Sequence, residues 1–290
     1  MNELAVVKKY DVVPVDSDIM EAFREEMEGL GTIPIDTIKI PSGGGIAFEV
    51  PGEDPDSPDM AKELIGVIVG HKPQNAYWAD AYTGENNGPD CYSDDSKTGI
   101  DSNTGEVKDC ATCPFNQYGS AVNAQGQPTK GKACKNLHRI YLLQEGAMFP
   151  VIINIPPTSI KPFKDYLAKR LLLRGKRPHQ VVTKITLKKA SSSDGITYSQ
   201  CVFAKAGDLS PEIMKSLEPS IALTKELMSI QAPPPVMEAE PQATAQEAQA
   251  TAQEAQTTAQ EAQTTAQEAQ FGSKVVTAAD VIPQFEEVKD

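Results

Sequence analysis

From Glu63 to Lys72 the chain reads ELIGVIVGHK, a nearly unbroken apolar run too short for a helix of ordinary length. It predicts a strand buried on both faces. LHRIYLL (137–143) and FPVIINIP (149–156) predict two more strands. HQVVTKITLKKA (179–190), the polar turn SSSDG and ITYSQCVFAKA (196–206) predict a hairpin. TIPIDTIKI (32–40) and GIAFEV (45–50) read as a shorter hairpin around the glycine turn at 43–45, and PGEDPDSPDM (51–60) as a loop. Helical spacing marks three segments. SDIMEAFREEMEGLG (17–31) has Ser17 or Asp18 as cap and Gly31 as stop. TSIKPFKDYLAKRLLLRG (158–175) has a Thr or Ser cap and a basic face, and SPEIMKSLEPSIALTKELMSI (210–230) is interrupted at Pro219.

Two regions break the pattern. Residues 71–133 show neither period, although a loop of that length inside a compact domain needs something to order it. Beyond Gln231, APPPVMEAEPQ is a stiff linker. ATAQEAQ and TTAQEAQ then repeat twice each up to Gln270, with alanine their only apolar residue and therefore no coiled-coil seam. The expected organisation is an acidic segment at 1–30, a folded domain at 31–230 with an insertion at about 72–136, a linker with repeats at 231–270 and an acidic tip at 271–290. The fold class is mainly β (α+β). Five or six strands with one inserted helix fit an OB-like β-barrel carrying a few helices, a long zinc-stabilised insertion and a disordered C-terminal tail. A β-sandwich or split sheet fits the same inventory.

The insertion gathers four of the five cysteines: Cys91, Cys110, Cys113 and Cys134. No run is apolar enough to span a membrane and the N-terminus lacks a signal pattern, so a reducing cytoplasmic setting is expected. There, clustered cysteines favour a metal over disulfides. A Cys-x-x-Cys turn brings two thiolates to one ion, and tetrahedral Zn²⁺ takes four. Metal binding would supply the order that burial cannot. Four thiolates argue for a closed structural site. Four unligated thiols are the plain alternative, His138 is the one substitute ligand for Cys134 but reads first as part of the following strand, and Cys201 reads as a core residue.

Charge adds a second feature. Residues 130–189 hold fourteen Lys and Arg against two Asp and Glu, inside a chain of formal net charge -13. Such a block is a candidate polyanion footprint. Its members include Lys130, Lys132, Lys135, Arg139, Lys161, Lys164, Lys169, Arg170, Arg174, Lys176 and Arg177. Tyr77, Trp78 and Tyr118, in polar loops, are candidate stacking platforms for bases. Phe163, Tyr166, Leu167 and Leu171 have helical spacing and read as core.

AYW, CPFNQYGS and GKACKN, followed by a strand and PPTS, resemble zinc-containing single-stranded DNA-binding proteins of bacteriophages and mobile elements over about residues 63–210. The architecture is also similar to that of the T-even phage proteins of this kind, in which a histidine joins three cysteines. DVIPQF, with Asp280, Ile282, Pro283 and Phe285, resembles the acidic tip by which bacterial single-stranded DNA-binding proteins recruit repair and replication partners, with Gln284 inserted and five residues following. The resemblance implies a sequence-nonspecific binder of single-stranded DNA in replication or recombination, in the host cytoplasm if phage-encoded, with an acidic tether that can compete for the basic groove. RNA stays open, because stacking does not register the 2′-hydroxyl. No phosphate-binding loop, triad or metalloprotease pattern is present, and no enzyme activity is expected. A zinc-loop adaptor or inhibitor and a strand-annealing mediator are the alternatives.

Overall fold

The computed structural model describes residues 6–7, 10–26, 28, 35–52, 54, 57–79, 88–123, 126–192 and 195–229. The linker, the repeats and the tip with Asp280, Ile282, Pro283 and Phe285 lie outside these residues. In chain order the elements are β1 (Val6–Val7), α1 (Ser17–Glu26), β2 (Thr37–Ile38), β3 (Phe48–Val50), β4 (Asp59–Ala61) and β5 (Glu63–Tyr77). Three short strands follow, β6 (Cys91–Ser93), β7 (Thr98–Asp101) and β8 (Val107–Asp109). Then come β9 (Lys135–Leu143), β10 (Val151–Ile155), α2 (Pro157–Asp165), β11 (Val181–Ser191), β12 (Thr197–Leu209), α3 (Pro211–Ser216) and α4 (Glu218–Ser229).

The chain is mainly β, with a large mixed sheet and few helices. β5 is its spine. Glu63–Gly66 pair antiparallel with β11 and Val67–Ala76 with β9, the second pairing carrying a register shift between Ile68 and Gly70. β9 pairs with β10, and β11 with β12 over nearly its whole length. Side chains leave β5 and β9 on both faces and meet a core each time, which is why these strands read as continuous apolar runs. Leu64, Ile68, Ile140, Leu142, Ile153 and Ile185 pack under Phe163, Tyr166 and Leu171 of the α2 segment, as their helical spacing predicts. Val67, Val69, Tyr141, Leu143 and Ile152 pack with Tyr10, Leu209, Ile213 and Leu217. Cys201 is fully buried in the first of these clusters.

Several expectations change. The sheet does not close into a barrel. β10 has β2 along its outer edge in parallel register, and β12 has β1, so N-terminal segments cover the edges that closure would otherwise join. The hairpin expected at 32–50 survives only as a bridge between Lys39 and Glu49, and β3 pairs instead with β4, inside the stretch read as a loop. Asp16, one residue before the expected caps, caps α1, its carboxylate accepting from the Ile19 N–H at 2.9 Å. α2 has no side-chain cap; Pro157 opens it, a position where the missing N–H costs nothing. Past Asp165 its winding loosens to a π turn (Tyr166–Leu171), then tightens to a 3-10 turn (Leu172–Arg174) ending at Gly175, φ 68°. β5 continues to Tyr77, so the insertion starts later than expected, and β6, β7 and β8 extend the sheet through it.

Gly66 shows how tightly β5 and β9 are set. A Cβ there would stand 2.5 Å from the Leu143 carbonyl oxygen and 2.8 Å from Leu142 Cγ. The first neighbour is backbone in a paired strand and cannot swing away. Gly66→Ala is expected to lower stability by about 3 kcal/mol, read from the urea midpoint.

Candidate metal centre and the surrounding cations

The end of β5 organises the cysteine lobe. Tyr77 lies opposite Cys91 on β6, and Cys91 opposite Asp101 on β7. Thr98 lies opposite Asp109 on β8, which delivers Cys110 back toward the same place, its N–H donating to the Lys97 carbonyl at 2.8 Å. After Cys113, a 3-10 turn at Pro114–Asn116 reverses the chain. The Cys134 N–H donates to the Phe115 carbonyl at 2.8 Å, and Asn116 Nδ2 donates to the Cys110 carbonyl at 2.7 Å, so the far end of the lobe is tied to the turn.

All four cysteines line one cavity of about 320 Å³, together with Asn75, Gly99 and Lys108. Gly99 is the one β7 position without a side chain, and a Cβ there would meet Cys91 Sγ at 3.1 Å and Cys110 Sγ at 3.5 Å. Asn75 is buried, and its Nδ2 has no hydrogen-bond partner among the described residues, while its Oδ1 accepts from Ser96 and Asn136. Among the described residues no three His, Cys, Asp or Glu are already closed up as a metal site. The sulfurs share a chamber without meeting at one point.

Electrostatics tie the thiols together. Burial pushes Cys134 up to about 12, and the charges of Cys110, Cys113 and Cys91 add to it. Cys91 is raised in the same way, burial first, with Lys108 pulling back. A divalent cation would let all four ionise together. Four sulfurs around one chamber, a glycine where a Cβ would crowd two of them, and a buried amide donor left for a thiolate together fit a structural Zn²⁺ site. Cys91, Cys110, Cys113 and Cys134 would hold the ion, whose contribution would be a cross-link between β6, the Pro114–Asn116 turn and the start of β9.

The lobe is not ordered by cysteine alone. Asp95 accepts from the Lys97 and Thr98 N–H groups, Asp101 from those of Asn103 and Thr104, and Asp109 from that of Ala111. These carboxylates build turns, a role that counting charges does not suggest. Hydrogen bonding to Lys108 first, then to backbone, holds Asp101 down at about 2.

His138 lies elsewhere. Its Nε2 is 3.0 Å from His71 Nδ1, and both rings pack on Phe163, about 5 Å from its centroid. His138 sits on β9, as the strand reading expects, and its partner is another imidazole on the adjacent strand. Burial lowers His71, and burial plus its neighbour lowers His138 to about 4. An unfolded chain takes these protons near pH 6.5, before the folded chain does. The histidine contribution to stability is thus complete above pH 6.5 and lost as pH falls toward about 4. After discounting for partial exposure, the loss is about 2 kcal/mol. Urea midpoints at pH 7.5 and 5 should differ more for the wild type than for His138→Gln.

The aromatic candidates cluster on the lobe. Tyr77 stacks on Phe115 at 4.2 Å and 16°, a ring the sequence reading passed over although it stands between two cysteines on a turn too tight to bury it. Phe115 is 42% exposed and Tyr118 84%, and Lys132 Nζ lies 4.9 Å from the Tyr118 ring. Trp78 is half-buried. Among the cations, Lys130, Lys161, Lys164, Lys169, Arg170, Arg174 and Arg177 are exposed, and Lys132, Lys135 and Lys176 half-buried. Lys161 and Lys169 both pair with Asp165, and Lys176 reaches Asp208 at 3.5 Å. Arg139 departs from expectation. It is 2% exposed, its Nε donating to Asn154 Oδ1 at 3.0 Å, because its position on β9 turns it toward covered surface. It cannot touch a strand lying on the outside. No helix among the described residues is long and apolar enough to cross a membrane. Comparison with protein families, curated proteins and solved structures returned no match, so any functional reading stands on these residues.

Proposed function

We propose that the chain is a sequence-nonspecific single-stranded DNA-binding protein of a phage or mobile element, with one structural Zn²⁺ and a role in replication or recombination in the host cytoplasm. The observation that carries this reading is the segment from Lys161 to Arg177. Six of its seven cations are exposed, and one carboxylate, Asp165, stands among them. A surface of that charge suits a phosphate backbone and supplies most of the affinity of a sequence-tolerant binder. Phe115 and Tyr118, exposed beside Lys132, add rings on which bases can stack.

The order β5, β9, β10, α2, β11, β12, with β5 shared between both halves, supports an OB-like assignment, in which the cysteine lobe occupies the loop between the first and second strands. In such folds that loop borders the nucleic-acid site. The tip with Asp280, Ile282, Pro283 and Phe285 would recruit replication or recombination proteins.

Trp78, the single tryptophan, reports binding directly. Titration with oligo-dT is expected to change its fluorescence, and matched duplex to do so far less. Affinity should fall steeply with salt. An equal or absent response to both ligands would overturn the reading.

A second reading is favoured by the acids around the cysteines, Asp90, Asp94, Asp95, Asp101, Glu106 and Asp109, which repel phosphate from that flank. In it the lobe is a protein contact, and co-elution with a protein but not with oligo-dT would select it.

A further inference from the structure

Leu171, Leu172 and Leu173 follow one another, yet only the first is used by the core. Leu171 is fully buried, while Leu172 is 57% exposed and Leu173 81%. The change of winding at this point explains the geometry. The π turn over Tyr166–Leu171 keeps Tyr166 and Leu171 on the core, and the 3-10 turn that follows carries the next two side chains outward. Folding gains little from them there, since a leucine left in water forgoes the free energy of burial. Lys169, Arg170, Arg174 and Arg177, all exposed, flank the pair along the chain. Two adjoining exposed leucines flanked by charge mark a contact surface.

We propose that Leu172 and Leu173 form a wedge that inserts between neighbouring bases of a bound strand, whose phosphates are held by Lys169, Arg170, Arg174 and Arg177. This rests on the single-strand-binding reading and adds a specific action to it: the bound strand is unstacked, not merely coated. Charge complementarity selects the occupant. The partner must be strongly anionic yet offer flat apolar surface within a few ångströms of its charges, which an unpaired strand does. Leucine wedges that part base steps are a known physical device, the unstacking cost being repaid by added contact.

The test uses the full chain and a dA-rich oligonucleotide carrying 2-aminopurine, a base that brightens when unstacked. Wild-type protein should bind and brighten it. Leu172→Ser/Leu173→Ser, altered only at exposed positions, should keep its urea midpoint and lose the brightening. Its affinity should fall about tenfold, with the salt slope unchanged. Arg170→Ala/Arg174→Ala should instead make the slope shallower by about 1.4, at 0.7 per lost phosphate contact on a single strand. If wild type binds and the leucine variant matches it in affinity and brightening, the wedge is wrong and the binding reading stands. If wild type binds no oligonucleotide, both fail. Leucine-dependent sedimentation with phosphatidylserine vesicles, with oligonucleotide affinity unchanged, would overturn the wedge in favour of a lipid surface.

Discussion

Cys113→Ser is expected to abolish stoichiometric zinc. Metal analysis of the purified chain should fall from about one Zn²⁺ per chain to a trace, since a tetrahedral structural site with three thiolates and a hydroxyl loses most of its affinity. The variant should also be cut at least tenfold faster by protease within 88–134, because zinc binding in small domains contributes on the order of 10 kcal/mol of folding free energy. Far-UV dichroism should change little. The cavity lies at the far end of β5, whereas the cores under α2 and α4 draw on Leu64, Ile68, Val67 and Val69 earlier in that strand. Treatment of the wild type with a chelator should reproduce the result. Wild-type protein purified without metal, with the lobe as protease-resistant as the rest, would remove the zinc assignment.

The second large effect is on stability. Phe163→Ala is expected to cost about 4 kcal/mol, in the range for truncating a buried aromatic. The ring is 2% exposed, and it touches His71 edge-on at 5.3 Å, His138 at 5.2 Å and Phe203 at 5.1 Å. It pins α2 to β5, β9 and β12 at once. With a typical domain stability of about 5–15 kcal/mol, that loss leaves a marginal fold. The urea midpoint should fall with little change in slope. A change under about 1 kcal/mol would mean that α2 is held mainly by Tyr166 and Leu171.

These two predictions differ in how far the sequence alone leads to them. The Cys-x-x-Cys turn and the inward residues of α2 are spaced by local geometry, one by a tight turn and the other by helical period, and both can be read along the chain. Cys91 and Cys134 stand next to that turn for another reason. β6 pairs with the end of β5, and Cys134 is hydrogen-bonded to the turn just before β9 begins. Asn75 and Gly99, which shape the same chamber, carry no local signature. Phe115 could have been found by asking where an aromatic between two cysteines on a short turn can go. Arg139 could not, because one residue of register decides whether a strand position faces water or another layer.

The amino-acid order by itself determined the strands at 63–72, 137–143 and 149–156, the hairpin strands at 179–190 and 196–206, the buried face of α2, the block of positive charge and the grouping of four cysteines. Each follows from near neighbours: the apolar period, the turn residues, the count of charges. Tertiary structure decided the rest. It laid β1 and β2 along edges that a closed barrel would have joined, withdrew Arg139 from the role its residue type suggested, set His138 against His71, and turned Leu172 and Leu173 outward from a run of three leucines. Those outcomes depend on which distant surface each segment meets, and complementarity between surfaces far apart in the chain leaves no periodic trace within it.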